Sequence, residues 1–125
     1  MEGRRISSIT VWASDLEASA RFYSDFIGLG LDRGEVEPPY NLPHYEVMWG
    51  DFDDDTWFLL HIYPAMGDKI TSNAQIGVRG TDLDGLVARA TEMGVQIVQP
   101  MRQEPWGRNA KFADPDGNVV SVTAR

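Results

Sequence analysis

The sequence predicts an α+β fold made of two similar halves, and three observations favour it. First, a helix start of the form Ser/Thr-Asp-Leu-Asp/Glu occurs twice, at residues 14–17 and 81–84. Second, a short run of alternating apolar and polar residues precedes each helix and predicts a half-buried strand. Third, two or three further strand-like runs follow each helix. We therefore interpret residues 1–125 as a single domain built from a repeated strand–helix–strand unit.

The first half spans residues 6–64 and begins with the run ISSITVWA, which alternates as a strand does. Ser14 or Asp15 then caps a helix, and Glu17 has the spacing to complete a capping box. Apolar residues recur at helical spacing until Gly28, which suits a left-handed helix end. The runs HYEVMW and TWFLLHIY follow and predict further strands.

The second half spans residues 73–125 and repeats this order after a boundary near residues 64–73. The run AQIGVRG predicts its first strand, Asp82 begins its helix, and Gly94 ends it. The strand-like runs VQIVQ, RNAKFA and NVVSVT come next. The last two are joined by Asp-Pro-Asp-Gly, residues 114–117, which matches a type I turn and requires no catalytic role.

Composition and charge exclude several classes of function. The chain has no cysteine, which excludes disulfides, a thiolate nucleophile and a cysteine zinc site. Its net charge of −8 and pI near 4.5 would repel a phosphate backbone and attract cations, so we expect no nucleic-acid partner. No apolar run approaches the ~20 residues of a membrane span, and the first residues lack the long apolar core of a signal peptide. We therefore expect a cytoplasmic protein without a membrane partner.

Three stretches carry a resemblance to a known family: SDLEASARFYSDFIGLGL in the first half, and VRGTDLDGLVARATEMGV and PWGRNAKFADPDGN in the second. They resemble the vicinal oxygen chelate superfamily, which includes glyoxalase I, ring-cleaving dioxygenases and bleomycin-resistance proteins. The resemblance covers almost the whole chain. It implies two βαβββ modules that form a curled mixed sheet around a cavity, with the helices on the outer face. It also implies a homodimer, in some members with the ligand site between the subunits.

Alternation along the strands separates two faces of the predicted sheet. One face is uniformly apolar, as in Phe58, Leu60 and Ile62, and we expect it to meet the helices. The other carries hydroxyl, amide, imidazole and indole groups, and we expect it to line the concave side and bind a ligand. The residues predicted to bind the ligand, including one tryptophan just before the last turn motif, are Ser8, Thr10, Trp12, Trp57, Leu59, His61, Tyr63, Gln75, Arg79, Trp106 and Ser121.

The metal ligands of the superfamily map onto four positions of this chain: Ser8, His61, Gln75 and Ser121. This set offers one imidazole, one amide and two neutral hydroxyls. A firm divalent site needs about three good protein ligands, with imidazole and carboxylate favoured. The sequence therefore predicts that these positions hold no metal and that the protein uses no cofactor.

The leading hypothesis is a metal-independent binding protein similar to the bleomycin-resistance branch. It would sequester a small aromatic or cationic compound, such as an antibiotic, in a cavity or dimer groove. No residue is predicted to be catalytic under this hypothesis. Trp12 and Trp57 either offer a stacking surface for a flat or cationic ligand or fill core volume.

Two other hypotheses stay open. The chain would be a lyase, isomerase or dioxygenase of the same superfamily if His61 and Gln75 bound a divalent metal, or if His61 alone acted as a base. It would be a dimeric interaction module if the cavity were vestigial. His44 and Glu46 share one face of a predicted strand, and we interpret them as an exposed edge-strand pair rather than a metal or proton-transfer pair. The acidic run GDFDDDTW lacks the spacing of a calcium loop and is interpreted as a solvated hairpin tip.

Overall fold

The structure, a computed structural model, describes residues 3–35 and 42–124 and confirms the predicted α+β class. No helix in these two ranges has the length and apolar character needed to cross a membrane. In chain order the elements are β1 (Ser8–Ala13), α1 (Leu16–Ala20), a π-helical turn (Arg21–Phe26), β2 (Asp32–Glu35), β3 (Pro43–Trp49), a 3-10 turn (Phe52–Asp54), β4 (Phe58–Pro64), β5 (Gln75–Arg79), α2 (Leu83–Met93), β6 (Ile97–Glu104), β7 (Gly107–Ala113) and β8 (Val119–Ala124).

The strands form two four-stranded sheets with the same topology. The first has the order β1-β4-β3-β2, and the second has the order β5-β8-β7-β6. In each sheet the first strand pairs in parallel with the last strand of its half, and the other pairs are antiparallel. β1 and β5 are therefore both edge strands, each with one side that pairs with no strand among the described residues.

The first helix differs from the prediction in detail. Asp15 caps it by accepting a hydrogen bond from the Ala18 backbone N–H at 3.1 Å, and Gly28 follows the helix with a φ of +86°. Glu17 does not complete a capping box, because its carboxylate accepts a hydrogen bond from the Tyr45 hydroxyl at 2.7 Å. The residues after α1 continue as a π-helical turn, and β2 is a strand that no run in the sequence had indicated.

Both sheets contribute their apolar face to one core. Val11 and Ile62 from the first sheet are buried in the same cluster as Phe112 and Val120 from the second. The first helix joins the two sheets there, since Phe26 packs edge-to-face on Phe112 with 5.2 Å between ring centroids. The alternation predicted along the strands is thus confirmed by burial, and the polar face of each sheet lies on the side away from the shared core.

The Asp-Pro-Asp-Gly turn between β7 and β8 connects the two halves. It closes as predicted, with Gly117 at a φ of +88° and its N–H donating to the Asp114 carbonyl at 3.1 Å. The Asp114 side chain is buried and accepts hydrogen bonds from the Tyr23 hydroxyl at 2.7 Å and from the Asn118 amide at 2.8 Å. Asn118 also donates to the carbonyl of Thr71 in the connection between the halves. The turn is therefore a structural junction.

Candidate functional site

The polar face of the first sheet carries a row of aromatic rings that runs across three strands. The row contains Trp12 of β1, Tyr63 of β4 and His44 of β3. Trp12 and Tyr63 lie 5.6 Å apart between ring centroids, and the rings of Tyr63 and His44 are stacked at 4.8 Å and 16°. Gly34 of β2 pairs with His44, and a Cβ there would lie 3.2 Å from the imidazole, so the glycine leaves space for the ring. These residues form a continuous row of rings, in which Trp12 and Tyr63 are half-buried and His44 is buried.

A polar row lies beside the aromatic row on the same face. The strand registers place Thr10 next to His61, His61 next to Glu46, and Glu46 next to Asp32. The Glu46 carboxylate lies between two imidazoles, with 3.7 Å from one oxygen to His44 Nε2 and 3.7 Å from the other to His61 Nδ1. One carboxylate thus lies between two imidazoles on the two central strands of this sheet. We call the two rows together the first polar face.

Burial controls protonation on the first polar face. Burial lowers the pKa of His61 below its ordinary value, and nearby His44 lowers it further, while Glu46 opposes the shift. His61 is therefore neutral at pH 7, and its buried Nδ1 has no hydrogen-bond partner among the described residues. Burial also raises the pKa of Tyr63, with Glu46 adding to the effect, so the phenol stays protonated.

The structure corrects one interpretation of these residues and shows one contact that the sequence did not indicate. His44 and Glu46 are not an exposed edge-strand pair, because β3 lies between β4 and β2 and His44 is only 4% exposed. His61 has a carboxylate neighbour, Glu46, which sequence reasoning missed. The two residues are 15 positions apart in the chain, and only the antiparallel register of β3 and β4 brings them together.

The tryptophans predicted to share one surface are separated. Trp57 precedes β4 and stacks on Phe52 at 5.3 Å, with the Arg5 guanidinium 5.7 Å from its ring centroid. It therefore belongs to the acidic hairpin tip and has no ring contact with Trp12 among the described residues. Trp106 lies in the turn between β6 and β7 and is 64% exposed. Of the four indoles, Trp12 is the one that lies within the aromatic row.

The polar face of the second sheet is organised around Asn109 of β7, which is buried. Its side-chain nitrogen donates to the Ser121 hydroxyl at 2.8 Å, the Thr123 hydroxyl at 3.0 Å and the Val122 carbonyl at 3.1 Å. Its side-chain oxygen accepts a hydrogen bond from the Gln99 amide at 3.1 Å. Sequence reasoning did not select Asn109 or Gln99. Alternation along the last strand placed Thr123 on the same face as Ser121, but only Ser121 was among the residues predicted to bind the ligand.

Two cationic side chains flank these hydroxyls. Lys111 pairs across the strands with Ser121, and Arg79 pairs with Thr123. Neither cation makes an ion pair with any residue in 3–35 or 42–124. Gly77, on the other side of Ser121, has no atom of residues 3–35 or 42–124 within 4 Å of where a Cβ would be, so those residues leave the face open there. We call the surface formed by Gln75, Gly77, Arg79, Gln99, Asn109, Lys111, Ser121 and Thr123 the second polar face.

The four positions that map onto the superfamily's metal ligands do not meet within this chain. Ser8 and His61 lie in the first sheet, where Ser8 pairs with Leu59 rather than with His61. Gln75 and Ser121 lie in the second sheet, where Gln75 pairs with Val119. Within residues 3–35 and 42–124, no group of three or more His, Cys, Asp or Glu side chains is arranged to hold a metal ion.

An apolar groove of about 570 Å³ lies away from the first polar face. The apolar side of the first sheet, with Ile9, Trp49 and Phe58, forms one wall, and β5 forms the other. Gln75 and Arg79, two of the predicted ligand-binding residues, line this groove. Ile9 and Trp49 are both exposed, so the groove is an uncovered apolar surface beside the free edges of β1 and β5.

The chain contains two similar modules, and in each the first strand pairs in parallel with the last. This arrangement defines the paired βαβββ class of protein. A family model of the glyoxalase/bleomycin resistance protein/dioxygenase superfamily matches residues 5–122, and the chain belongs to that superfamily. No curated protein matches the sequence closely enough to count as a relative.

Solved structures give the same assignment of the fold. TnmS3, an antibiotic binding protein from Streptomyces sp. CB03234, is 25% identical, with a TM-score of 0.71 over 99% of this chain and 98% of that one. Oxidase ChaP-H1 is 22% identical, with a TM-score of 0.69 over 98% of this chain and 97% of its own. A superfamily member from Sphaerobacter thermophilus is 21% identical, with a TM-score of 0.65 over 98% of both chains. The last two comparisons show the fold alone.

Proposed function

We propose that the protein binds and sequesters a small aromatic or cationic compound, such as an antibiotic, and that the first polar face provides the principal contacts. The observation that carries the proposal is the row of Trp12, Tyr63 and His44 directly beside the carboxylate of Glu46. A flat ring can stack on the half-buried rings of Trp12 and Tyr63, and a ring that carries positive charge gains additional electrostatic attraction from the carboxylate. The similarity to an antibiotic binding protein supports the same class of ligand.

A homodimer would enclose the ligand. The two polar faces lie on the outer sides of the two sheets in one chain, so neither covers the other. The first polar face carries Asp32 and Glu46, whereas the second carries Arg79 and Lys111. Opposite charges on the two faces favour their juxtaposition between two copies. This arrangement places both polar faces around one ligand.

The test is titration of the protein with 9-aminoacridine, a flat cation, and with bleomycin, followed by tryptophan fluorescence and calorimetry. Trp12→Ala and Glu46→Gln should each weaken the binding of 9-aminoacridine about tenfold, which corresponds to ~1.4 kcal/mol. Glu92→Gln is the matched control, because Glu92 is an exposed carboxylate on α2. Binding of neither compound, or an equal effect of the Glu46 and Glu92 substitutions, would refute the proposal.

The position of His61 favours proton-transfer catalysis as a second candidate function. It is a neutral imidazole beside a carboxylate, on a face that a ligand could reach, and this is the arrangement of a general base. Under this candidate a bound compound would be converted, and His61→Gln would abolish conversion while retaining binding. Mass spectrometry of each compound after prolonged incubation distinguishes the candidates, since sequestration leaves the compound unchanged.

A further inference from the structure

We propose that the second polar face recognises an anionic oxygen on the ligand, a carboxylate or a phenolate, through the hydroxyls of Ser121 and Thr123. This inference rests on the proposed function and specifies the chemistry of the ligand. It assigns a donor role to a position that, in the superfamily pattern, would be a metal ligand. It also adds Thr123, Asn109 and Lys111 to the binding site.

The Val122 carbonyl fixes the orientation of the Asn109 side chain. Its nitrogen lies 3.1 Å from the Val122 carbonyl oxygen, which can only accept a hydrogen bond. The group that faces Val122 must therefore be the NH₂ of the amide, and the opposite orientation would place two oxygens against each other. The Gln99 amide supports the same orientation, because it donates to the other end of the Asn109 side chain.

The orientation of the two hydroxyls follows from that of Asn109. The same NH₂ group donates to Ser121 Oγ and to Thr123 Oγ1, so each hydroxyl oxygen is used as an acceptor. Each hydroxyl hydrogen remains available, and no described residue accepts it. Since both side chains lie on the polar side of β8, the two O–H groups can point out of the sheet as donors.

The two donors are close enough to serve one ligand group. A single nitrogen lies 2.8 Å from one hydroxyl oxygen and 3.0 Å from the other, which places both within reach of one carboxylate. Lys111 and Arg79 are the cross-strand neighbours of Ser121 and Thr123, so positive charge flanks the donors on both sides. Hydrogen bonds to an ionised acceptor are stronger than neutral ones, and they are strongest where a cation is also near.

The local charge opposes that of the whole protein. The net charge of −8 would disfavour an anionic ligand in general. Preferential binding of a carboxylate would therefore be a property of the second polar face and not of the overall field. The complete ligand would carry a flat, cationic part that contacts the first polar face and an anionic oxygen that contacts the second.

The experiment compares two probes that share one ring system, 9-aminoacridine and 9-aminoacridine-2-carboxylate. We expect the carboxylate probe to bind at least tenfold more tightly to the wild-type protein, as measured by calorimetry at low salt. Ser121→Ala and Thr123→Val should each remove about fivefold of this preference, because the loss of affinity should be larger for the carboxylate probe than for 9-aminoacridine. Thr91→Val is the matched control, because Thr91 is an exposed hydroxyl residue on α2.

Asn109→Asp is a sharper variant, because it exchanges the donor for an acceptor at nearly constant shape. Both hydroxyls would then donate to the new carboxylate, and the preference for the carboxylate probe should be lost although Ser121 and Thr123 are intact. If this substitution of a buried residue prevents folding, the Ser121 and Thr123 variants still decide the question.

Three outcomes separate this inference from the proposed function. Equal affinity for the two probes, or equal loss for both probes in the Ser121 and Thr123 variants, overturns the inference while the proposed function stands. Binding of the carboxylate probe alone, sensitive to both hydroxyls, overturns the cationic preference of the first polar face and supports the second polar face. Binding of neither probe overturns this inference, and it overturns the proposed function as well if bleomycin also fails to bind.

Discussion

Replacement of Tyr23 by Phe should destabilise the protein through the junction between its halves. Tyr23 is completely buried, and its hydroxyl donates to the buried Asp114 carboxylate at 2.7 Å. A hydrogen bond to a charged group contributes about 1.5–3 kcal/mol to stability. Asp114 would keep three other donors, the Asn118 side chain and the backbone N–H groups of Asp116 and Asn118, so it would not be left unpaired. We therefore expect a loss of about 2 kcal/mol.

Urea unfolding followed by tryptophan fluorescence measures this loss. With a dependence of about 2 kcal/mol per molar urea, the midpoint should fall by about 1 M. Burial and the neighbouring Asp114 raise the pKa of Tyr23, so the phenol remains a protonated donor and the effect should be the same from pH 6 to pH 8.

The matched control is Tyr45→Phe. The Tyr45 hydroxyl also donates to a carboxylate at 2.7 Å, but its partner, Glu17, is exposed at the surface. Interactions with an exposed carboxylate at the surface contribute less than about 1 kcal/mol to the free energy of unfolding. If the two substitutions shift the midpoint equally, the buried hydrogen bond between the halves contributes no more to stability than the exposed one.

Three further predictions concern a turn, a histidine and a helix start. Gly107→Ala should lower the free energy of unfolding by about 3 kcal/mol, because φ is +136° and the new Cβ would lie 2.5 Å from the Ala124 carbonyl oxygen. Gly67→Ala is the control, since φ is +66° and no described atom lies within 4 Å of the new Cβ, and it should cost only about 1 kcal/mol. Thermal melting compares the two variants. Because the pKa of His61 is lowered in the folded protein, the unfolded chain binds a proton at a higher pH than the folded protein does. Stability should therefore decrease as the pH falls below about 6.5. Urea titrations between about pH 7.5 and pH 5 should show a weaker pH dependence for His61→Gln. Asp82→Ala removes the side-chain acceptor for the Gly85 N–H in the first turn of α2 and should lower the free energy of unfolding by about 1 kcal/mol. A loss of less than about 0.3 kcal/mol in urea unfolding would contradict the capping role.

Local features of the sequence were enough to predict most of the fold. Asp15 and Asp82 both cap helices, and Gly28 and Gly94 both take the left-handed conformation that ends them. These signals involve only residues a few positions apart, so they can be read without knowledge of the tertiary structure. The strand β2 was missed because its sequence, Asp-Arg-Gly-Glu, has no apolar alternation and is held in place only by pairing with β3.

The site was less predictable because it depends on register between strands. Alternation correctly placed Trp12, His61 and Tyr63 on one face, since period alone decides the face. It gave no information about which residues become neighbours across strands. The contact between Glu46 and His61 and that between Asn109 and Ser121 both required the observed pairing.

The parallel pairing within each half has a consequence for how the chain folds as it is synthesised. β1 can join its sheet only after β4 has left the ribosome, and β5 can join only after β8 has done so. Tyr23 meets its acceptor only when a residue 91 positions later becomes available. Because contacts of such long range form slowly, the early nascent chain should expose Phe22 and Phe26 for most of its synthesis and bind chaperones there.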